Sequence, residues 1–445
     1  MSDQPQRSAG VRLSVMMFLQ YAVWGVWLPY LANYLGAPTE DGGLGFTGAQ
    51  IGWLLGLAGS IGALAAPFIA GQIADRVMNA ERALALLLLL GGIVKWITAY
   101  QTSYEAWMVL SILYSVLYMP TLALTNSVAF ANLDDPEKKF PPVRALGTVG
   151  WIVASVAFPV LWMKTDVSVI ANWPFFDGPD RPDATERIAD ALIVSGVVSM
   201  GYALYCALAL PKTPPKRDGV EKLAFAEAFG LLKRSDVAVV TLAALAISMI
   251  HQCYFFRTGP YLEQAIGVGA SDVGPIMALG QISEIVVLAV LGWFLKSLGY
   301  KAVLTLGVAS YALRYGVFAL EPSPGMVKLA MLLHGLNYGF FFAGSFLYIE
   351  RVAALHIRHS AQTVFGIVIL GVGPILAGFY NGHFDRYTLA GEDGGTVQSY
   401  TQFWWTQSAI AAAVGVLLLI AFRSRATTHV QPADASTEPG RDAAG

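Results

Sequence analysis

The chain has 445 residues, of which 56% are hydrophobic and 13% charged, and its mean hydropathy is +0.56. An ordinary soluble domain carries roughly 25% charged residues, so this balance excludes a soluble globular protein and predicts a polytopic membrane protein. The formal net charge of −2 argues against nucleic acid as a partner, and the two cysteines, Cys206 and Cys253, fall inside apolar runs as small buried hydrophobes rather than a disulfide framework.

A membrane-crossing helix needs about 20 predominantly apolar residues. In chain order such stretches fall near residues 11–35, 49–73, 82–100, 106–131, 143–163, 188–209, 237–262, 271–295, 302–320, 326–349, 359–381 and 401–422. They predict about twelve transmembrane helices, because they are too long and continuous for barrel strands and a lipid-exposed backbone must satisfy its own hydrogen bonds. Arg7 and Arg12 precede the first run, which has no small-residue cleavage site after a short core and is expected to remain as a span. Lys and Arg gather in stretches that share a side with the N-terminus, among them Arg76, Lys138, Lys139, Lys216, Arg217, Lys296 and Arg358. The other side holds Lys164, Arg181, Arg187, Arg257, Lys328 and Arg386. That asymmetry places both termini in the cytoplasm.

The polar stretch PKTPPKRDGVEKLAFAEAFGLLKRSD, residues 211–236, holds the densest basic cluster and divides the spans six and six. The expected fold is all-α, with N-terminal and C-terminal six-helix bundles over residues 1–210 and 237–425 and a cytoplasmic linker over 211–236. Residues 223–232 of the linker suit a short amphipathic helix on the membrane surface. The tail, 426–445, is rich in Pro, Ala, Asp and Gly and is expected to be disordered. GQIADRVMNAER after the second span and GWFLKSLGYK after the eighth are both short basic turns joining two spans, a faint internal repeat. Gly71, Asp75 and Arg76 in the first of these have a G-x-x-x-D-R spacing that resembles the loop signature of the major facilitator superfamily. The resemblance implies a conformational latch, beside the plainer reading of a polar turn capping two helices.

Ionisable groups inside the spans are few and expensive. Glu284, in GQISEIVVLAVLGW, stands near the middle of the eighth span and cannot snorkel to the interface as Lys can. A carboxyl there suits proton uptake and release as its surroundings alternate between dry and wet; the alternative is a carboxyl satisfied by a neighbouring helix. Gln281, one turn earlier, faces the same side and offers amide donors and acceptors. Arg144, Thr148 and Trp151 follow i, i+4, i+7 and put a cation, a hydroxyl and an indole on one helix face, a set that suits a ligand with polar edges and a flat ring. Arg144 also lies near the cytoplasmic end of its span, where an Arg commonly meets lipid phosphates. Gln252 with His251 and Tyr254, and Asn337 with Tyr338, form polar-aromatic patches. His251 and His334 suit either proton carriers or rings satisfied by backbone carbonyls, and Lys95 and Arg314 read as structural. There is no phosphate-binding loop, no metal-ligand spacing and no nucleophile elbow, so neither an enzyme nor an ATP-driven pump is expected, and no cofactor.

Several separated pieces carry a resemblance to one family: FLQYAVWGVWLPYL, YMPTLALTNSVAF, FPPVRALGTVGW, GQISE, ALRYGVFAL and IRHSAQTVFG. They look like the nucleoside:proton symporters of the major facilitator superfamily. The resemblance implies a monomeric two-domain transporter of a bacterial inner membrane that imports nucleosides with protons by alternating access. It carries ligand contacts onto Arg144, Thr148 and Trp151 in the first half and Gln252, Gln281, Glu284 and Tyr338 in the second, with Glu284 as the proton-coupling residue. Two positions depart from the family pattern: Gly339 stands where relatives carry an acid, and Phe255 where they carry an Asn. Glu284 is thereby left as the sole candidate acid. A proton-coupled symporter for another polar metabolite, such as a sugar or glycoside, is the competing reading, and a non-transporting membrane sensor a more distant one.

Overall fold

The computed structural model describes residues 3–72, 78–214, 227–354, 357–383, 387–390 and 396–424. Among these residues twelve long helices cross the molecule. In the first half they are α1 (Ala9–Gly36), α2 (Gly48–Trp53, Leu54–Ala58 and Gly59–Gln72), α3 (Ala80–Thr98), α4 (Tyr104–Asn132), α5 (Pro136–Trp162) and α6 (Ile188–Ala209). The second half has α7 (Ser235–Gln264), α8 (273–298), α9 (300–319), α10 (Pro324–Val352), α11 (Arg358–Gly366, Ile367–Val372 and Gly373–Asn381) and α12 (Tyr400–Ala421). By length and composition the described residues hold ten candidate spans, α8 and α9 counting as the single stretch Ala270–Ala319, and α3, which carries Glu81, Arg82 and Lys95, is not among them. The helices α8 and α9 run on almost without a connection, broken at Gly299, where φ is +76° and only glycine sits without strain.

Local chemistry sets the helix starts. Thr47 and Gln50 close a capping box on α2, Asp135 accepts from the Lys138 N–H ahead of Pro136 on α5, and Ser399 accepts from the Gln402 N–H on α12. Outward-facing side chains are apolar, as on α3, where Leu86, Leu89, Leu90, Ile93, Trp96 and Ile97 are all exposed. Such a surface is stable only against lipid.

The two halves repeat one packing plan. In the first, α1 packs on α5, α2 on α4 and α3 on α6; six helices later α7 packs on α11, α8 on α10 and α9 on α12. Small residues let paired helices touch at matching places. A Cβ built on Gly62 of α2 would strike Ser115 of α4, and one built on Gly335 of α10 would strike Ser283 of α8.

Among the described residues, contacts between the halves gather from mid-helix to the end remote from both termini. There Gly52 and Gly56 of α2 meet Gly378 of α11, Trp53 packs on Phe379 with ring centroids 4.4 Å apart, and Asn33 of α1 meets Gly259 of α7. Tyr30 of α1 donates to the Ser155 carbonyl of α5 while lying directly on Gly274 of α8. A short hairpin in the α5–α6 connection, β1 (Ser168–Val169) with β2 (Phe176–Asp177), lies at this end. A second, β3 (Thr388–Ala390) with β4 (Thr396–Gln398), joins α11 to α12.

Candidate substrate and proton site

At the centre of the site a cation of one half and a carboxyl of the other, Arg144 of α5 and Glu284 of α8, stand on helices that pack together at Ser155 and Gly274. Arg144 projects from α5, its guanidinium 4.2 Å from the centre of the Tyr21 ring on α1. Gly147, three residues on, makes this possible, since a Cβ there would lie 2.6 Å from the Tyr21 ring. From the second half, Glu284 of α8 and Tyr338 of α10 share the electrostatic field of Arg144 and Tyr21. The Glu284 side chain is 13% exposed, so a cation opposite it acts in a medium far less screening than water. Thr148, half-buried, follows Arg144 by one turn. Trp151 is 6% exposed, with its backbone and the root of its indole pressed against Gly25 of α1.

Behind Glu284 the second half holds a ring-lined polar cluster. His334 of α10 lies with Nε2 3.9 Å from Glu284 Oε2 and 3.3 Å from the Gln281 amide of α8, and with Nδ1 3.0 Å from Arg314 Nη1 of α9. Arg314 can only donate, so Nδ1 accepts and the neutral ring carries its proton on Nε2. The partner of Nε2 must then be an acceptor. It is the Gln281 Nε2 that lies at 3.3 Å, with Oε1 buried and unpartnered, and turning the amide over gives Nε2–H of His334 its acceptor and Oε1 its donor. His251 of α7 stacks on His334 at 5.4 Å, with Nδ1 2.8 Å from the Tyr311 hydroxyl.

The structure thus brings Arg144, Glu284, Gln281 and Tyr338 towards one cleft. Gln252 is half-buried and lies two turns before Gly259 on the side of α7 that meets α1. The two family departures have physical settings. Gly339 is a helix-packing residue: a Cβ there would lie 2.7 Å from Val287 Cγ1 of α8, so the position faces a neighbouring helix. Phe255 packs its ring against His251 and Tyr254, forming an apolar wall. Gly71 lies in the last turn of α2, whereas Asp75 and Arg76, residues 215–226 of the linker and the tail 426–445 lie outside the described residues. Sequence reasoning missed Tyr21, an unremarked aromatic in an apolar run, and the joining of His334 to Arg314. Three π-helical turns, Leu54–Ala58, Asn337–Ala343 and Ile367–Val372, fall in helices that line the junction, and the second carries Tyr338. Among the described residues no group of His, Cys, Asp or Glu is arranged to hold a metal ion.

The remote end is fastened by Lys164, which follows α5. Its buried ammonium lies 3.1 Å from Asp177, 3.9 Å from Asp180 and 2.9 Å from Asp272, the last belonging to the second half. Burial works against its charge, but Asp272 and Asp177 outweigh that, and its pKa is raised above the ordinary lysine value. The hydrogen bond from Lys164 holds Asp177 below the usual carboxylate range. Trp173 donates from Nε1 to the Pro275 carbonyl at 2.7 Å, and Ser271 donates to Asp180, both across the same junction.

Twelve helices among the described residues, in two repeated halves with a carboxyl on one and a guanidinium on the other at helices that pack together, define a secondary transporter of the major facilitator fold. The chain belongs to the nucleoside H+ symporter family, whose sequence profile matches residues 8–427. It is 31% identical to YegT of Escherichia coli (strain K12) over 93% of each chain, and 29% identical to the xanthosine permease of the same organism over 95% of this chain and all of that one. A crystal structure of the nucleoside transporter NupG superposes with a TM-score of 0.77 at 23% identity, over 94% of this chain and the whole of the other. The family is one of transporters, so the chain is a transporter and not an enzyme.

Proposed function

We propose that this protein imports nucleosides with protons across a bacterial inner membrane by alternating access, working as a monomer with both termini in the cytoplasm. Membership of the nucleoside H+ symporter family supports the substrate and the ion. The placing of Arg144 and Glu284 on helices of opposite halves that pack together, α5 and α8, carries the coupling, because only groups divided in this way change their separation when the halves move. With the basic loops inside, the end fastened by Lys164 faces outwards and the cleft opens to the cytoplasm.

A nucleoside is neutral, so its accumulation needs an ion. One proton gains about 2.3 kcal/mol per 100 mV, enough for roughly a fortyfold gradient at about 1.4 kcal/mol per decade. A proton on Glu284 cancels its attraction for Arg144 and frees the guanidinium to hold the polar edge of a base or ribose. Gln281 and Gln252 offer amides to the same ligand and Tyr338 a ring to stack on. Release of ligand and proton to the cytoplasm restores the ion pair. Phe255 and Gly339 leave the ribose fewer polar partners than the family pattern, so the base is expected to contribute more of the recognition.

The test is counterflow of radiolabelled uridine and adenosine in proteoliposomes at equal pH on both sides, with sugars as competitors. Exchange of either nucleoside that a large excess of glucose or maltose leaves unchanged is expected. Exchange abolished by a sugar, or absent in folded protein, would move the substrate to the glycosides.

A further inference from the structure

We infer that Arg314 and His334 form a built-in counter-charge to Glu284 within the second half, which makes His334 a positioning residue for the coupling carboxylate and not a proton carrier. The inference rests on Glu284 being the coupling acid.

Arg314 is fully buried, where a guanidinium costs several kcal/mol unless its charge is answered. Among the described residues no carboxylate oxygen lies within salt-bridge distance of it. Its surroundings are the Tyr254 ring at 3.9 Å, the Phe318 ring at 5.4 Å, the Met331 sulfur at 3.4 Å and His334 Nδ1 at 3.0 Å. The imidazole is the one strong acceptor in that set, and its far nitrogen is the atom 3.9 Å from Glu284. Arg314 donates to His334 Nδ1, and the protonated Nε2 on the far side of the ring faces the Gln281 amide at 3.3 Å and the Glu284 carboxyl at 3.9 Å, so the neutral imidazole carries a positive field towards the carboxylate without a hydrogen bond to it. A second proton on His334 would set an N–H at Nδ1 against the Arg314 N–H, so the ring is held in one tautomer.

The groups facing Glu284 come from every neighbouring helix: Tyr21 of α1, Arg144 of α5, Tyr311 of α9, and His334 and Tyr338 of α10, with His251 of α7 stacked behind His334. Only Tyr21 and Arg144 belong to the other half. When the halves swing apart Arg144 leaves Glu284, while His334 and Arg314 travel with it. Arg144 therefore sets the difference in proton affinity between the two states, and the Arg314–His334 pair sets the pH around which that difference operates.

The experiment compares wild type, His334→Phe and His334→Gln, each full-length in proteoliposomes, for proton-driven uridine uptake between about pH 5 and pH 9. Phe breaks the relay; the Gln amide can accept from Arg314 and donate to Glu284. The profile of His334→Phe is expected to move to higher pH by about one unit, a tenfold change in proton concentration, with His334→Gln returning towards wild type. A structural role alone would lower the rate at every pH without moving the profile, and superimposable profiles would overturn the inference. Should His334→Phe fail to fold, 15N spectra of histidine-labelled wild type, with His334→Gln locating the signal, decide it. Protonated Nε2 and bare Nδ1 throughout the range are expected, and an imidazolium overturns the inference. Glu284→Gln is run alongside: if it still drives uphill uptake, the coupling reading itself fails, whereas an uncoupled Glu284→Gln with an unmoved His334→Phe profile defeats only the relay.

Discussion

Arg144 is the cation proposed to hold the ligand, and the Tyr21 ring, admitted by Gly147, gives its guanidinium a face to lie on. Hydrogen bonds to a charged group are worth about 1.5–3 kcal/mol, so Arg144→Ala is expected to raise the KM for uridine counterflow about tenfold or more, and a change below about twofold would remove Arg144 from the ligand. Gly339 makes the opposite point. Restoring the family's acid there with Gly339→Asp drives a side chain into Val287, and overpacking of this kind costs about 1–3 kcal/mol. The thermal midpoint of the detergent-solubilised protein is expected to fall, and Val287→Ala in the same chain to recover most of the loss. At this scale the sequence was legible where chemistry was out of place. A carboxylate at 284 and an amide at 281 stand out in an apolar run, but a tyrosine at 21 does not. The bond from Arg314 to His334 joins two helices, and no spacing along one helix reveals it.

The connections decide what the helices can do. Lys164 lies in the loop between α5 and α6 yet grips Asp272 at the entry to α8, so outward opening must break that contact. Lys164→Met is expected to raise the rate at which an outside, membrane-impermeant maleimide labels a cysteine placed at Asn33, which is sealed against Gly259 in the closed state. An unchanged rate would show that the clasp does not hold the gate. The pH dependence has a definite sign. Burial raises Asp272, the carboxylate that Lys164 reaches across the junction, so the clasp weakens as pH falls through that raised pKa, while the depressed Asp177 keeps its share to lower pH and the raised Lys164 until pH rises through its own. The labelling rate in wild type is therefore expected to be lowest near neutral pH and to rise as the pH is lowered through the raised Asp272 value, and a rate that acidification leaves flat would remove Asp272 from the clasp. Helix positions were legible to within a few residues, because span length and capping residues are local properties. The clasp was not, since Lys164 read simply as one of the few cations on the outer side and its carboxylates come together only in the fold, Asp177 and Asp180 from the hairpin and the residues after it and Asp272 from the other half.

Over the whole molecule the six-plus-six division, suggested by the basic stretch at 211–236 and a faint likeness between two turns, is matched by a packing plan that recurs six helices later. What the sequence could not reveal was the state: which end is sealed depends on glycine contacts such as Gly52 and Gly56 against Gly378, and glycines in an apolar helix carry no label for the helix they will meet. The sealed end, the cation and carboxyl divided between the halves and the family together make one claim, that a nucleoside crosses only with a proton borne by Glu284. The most direct measurement is uridine-induced proton movement into proteoliposomes with no imposed gradient, read by an internal pH dye for wild type and Glu284→Gln, with counterflow recorded on the same vesicles. Wild type is expected to acidify the lumen when uridine is added, and Glu284→Gln to exchange uridine while moving no protons. Proton movement of wild-type size in Glu284→Gln would contradict the claim.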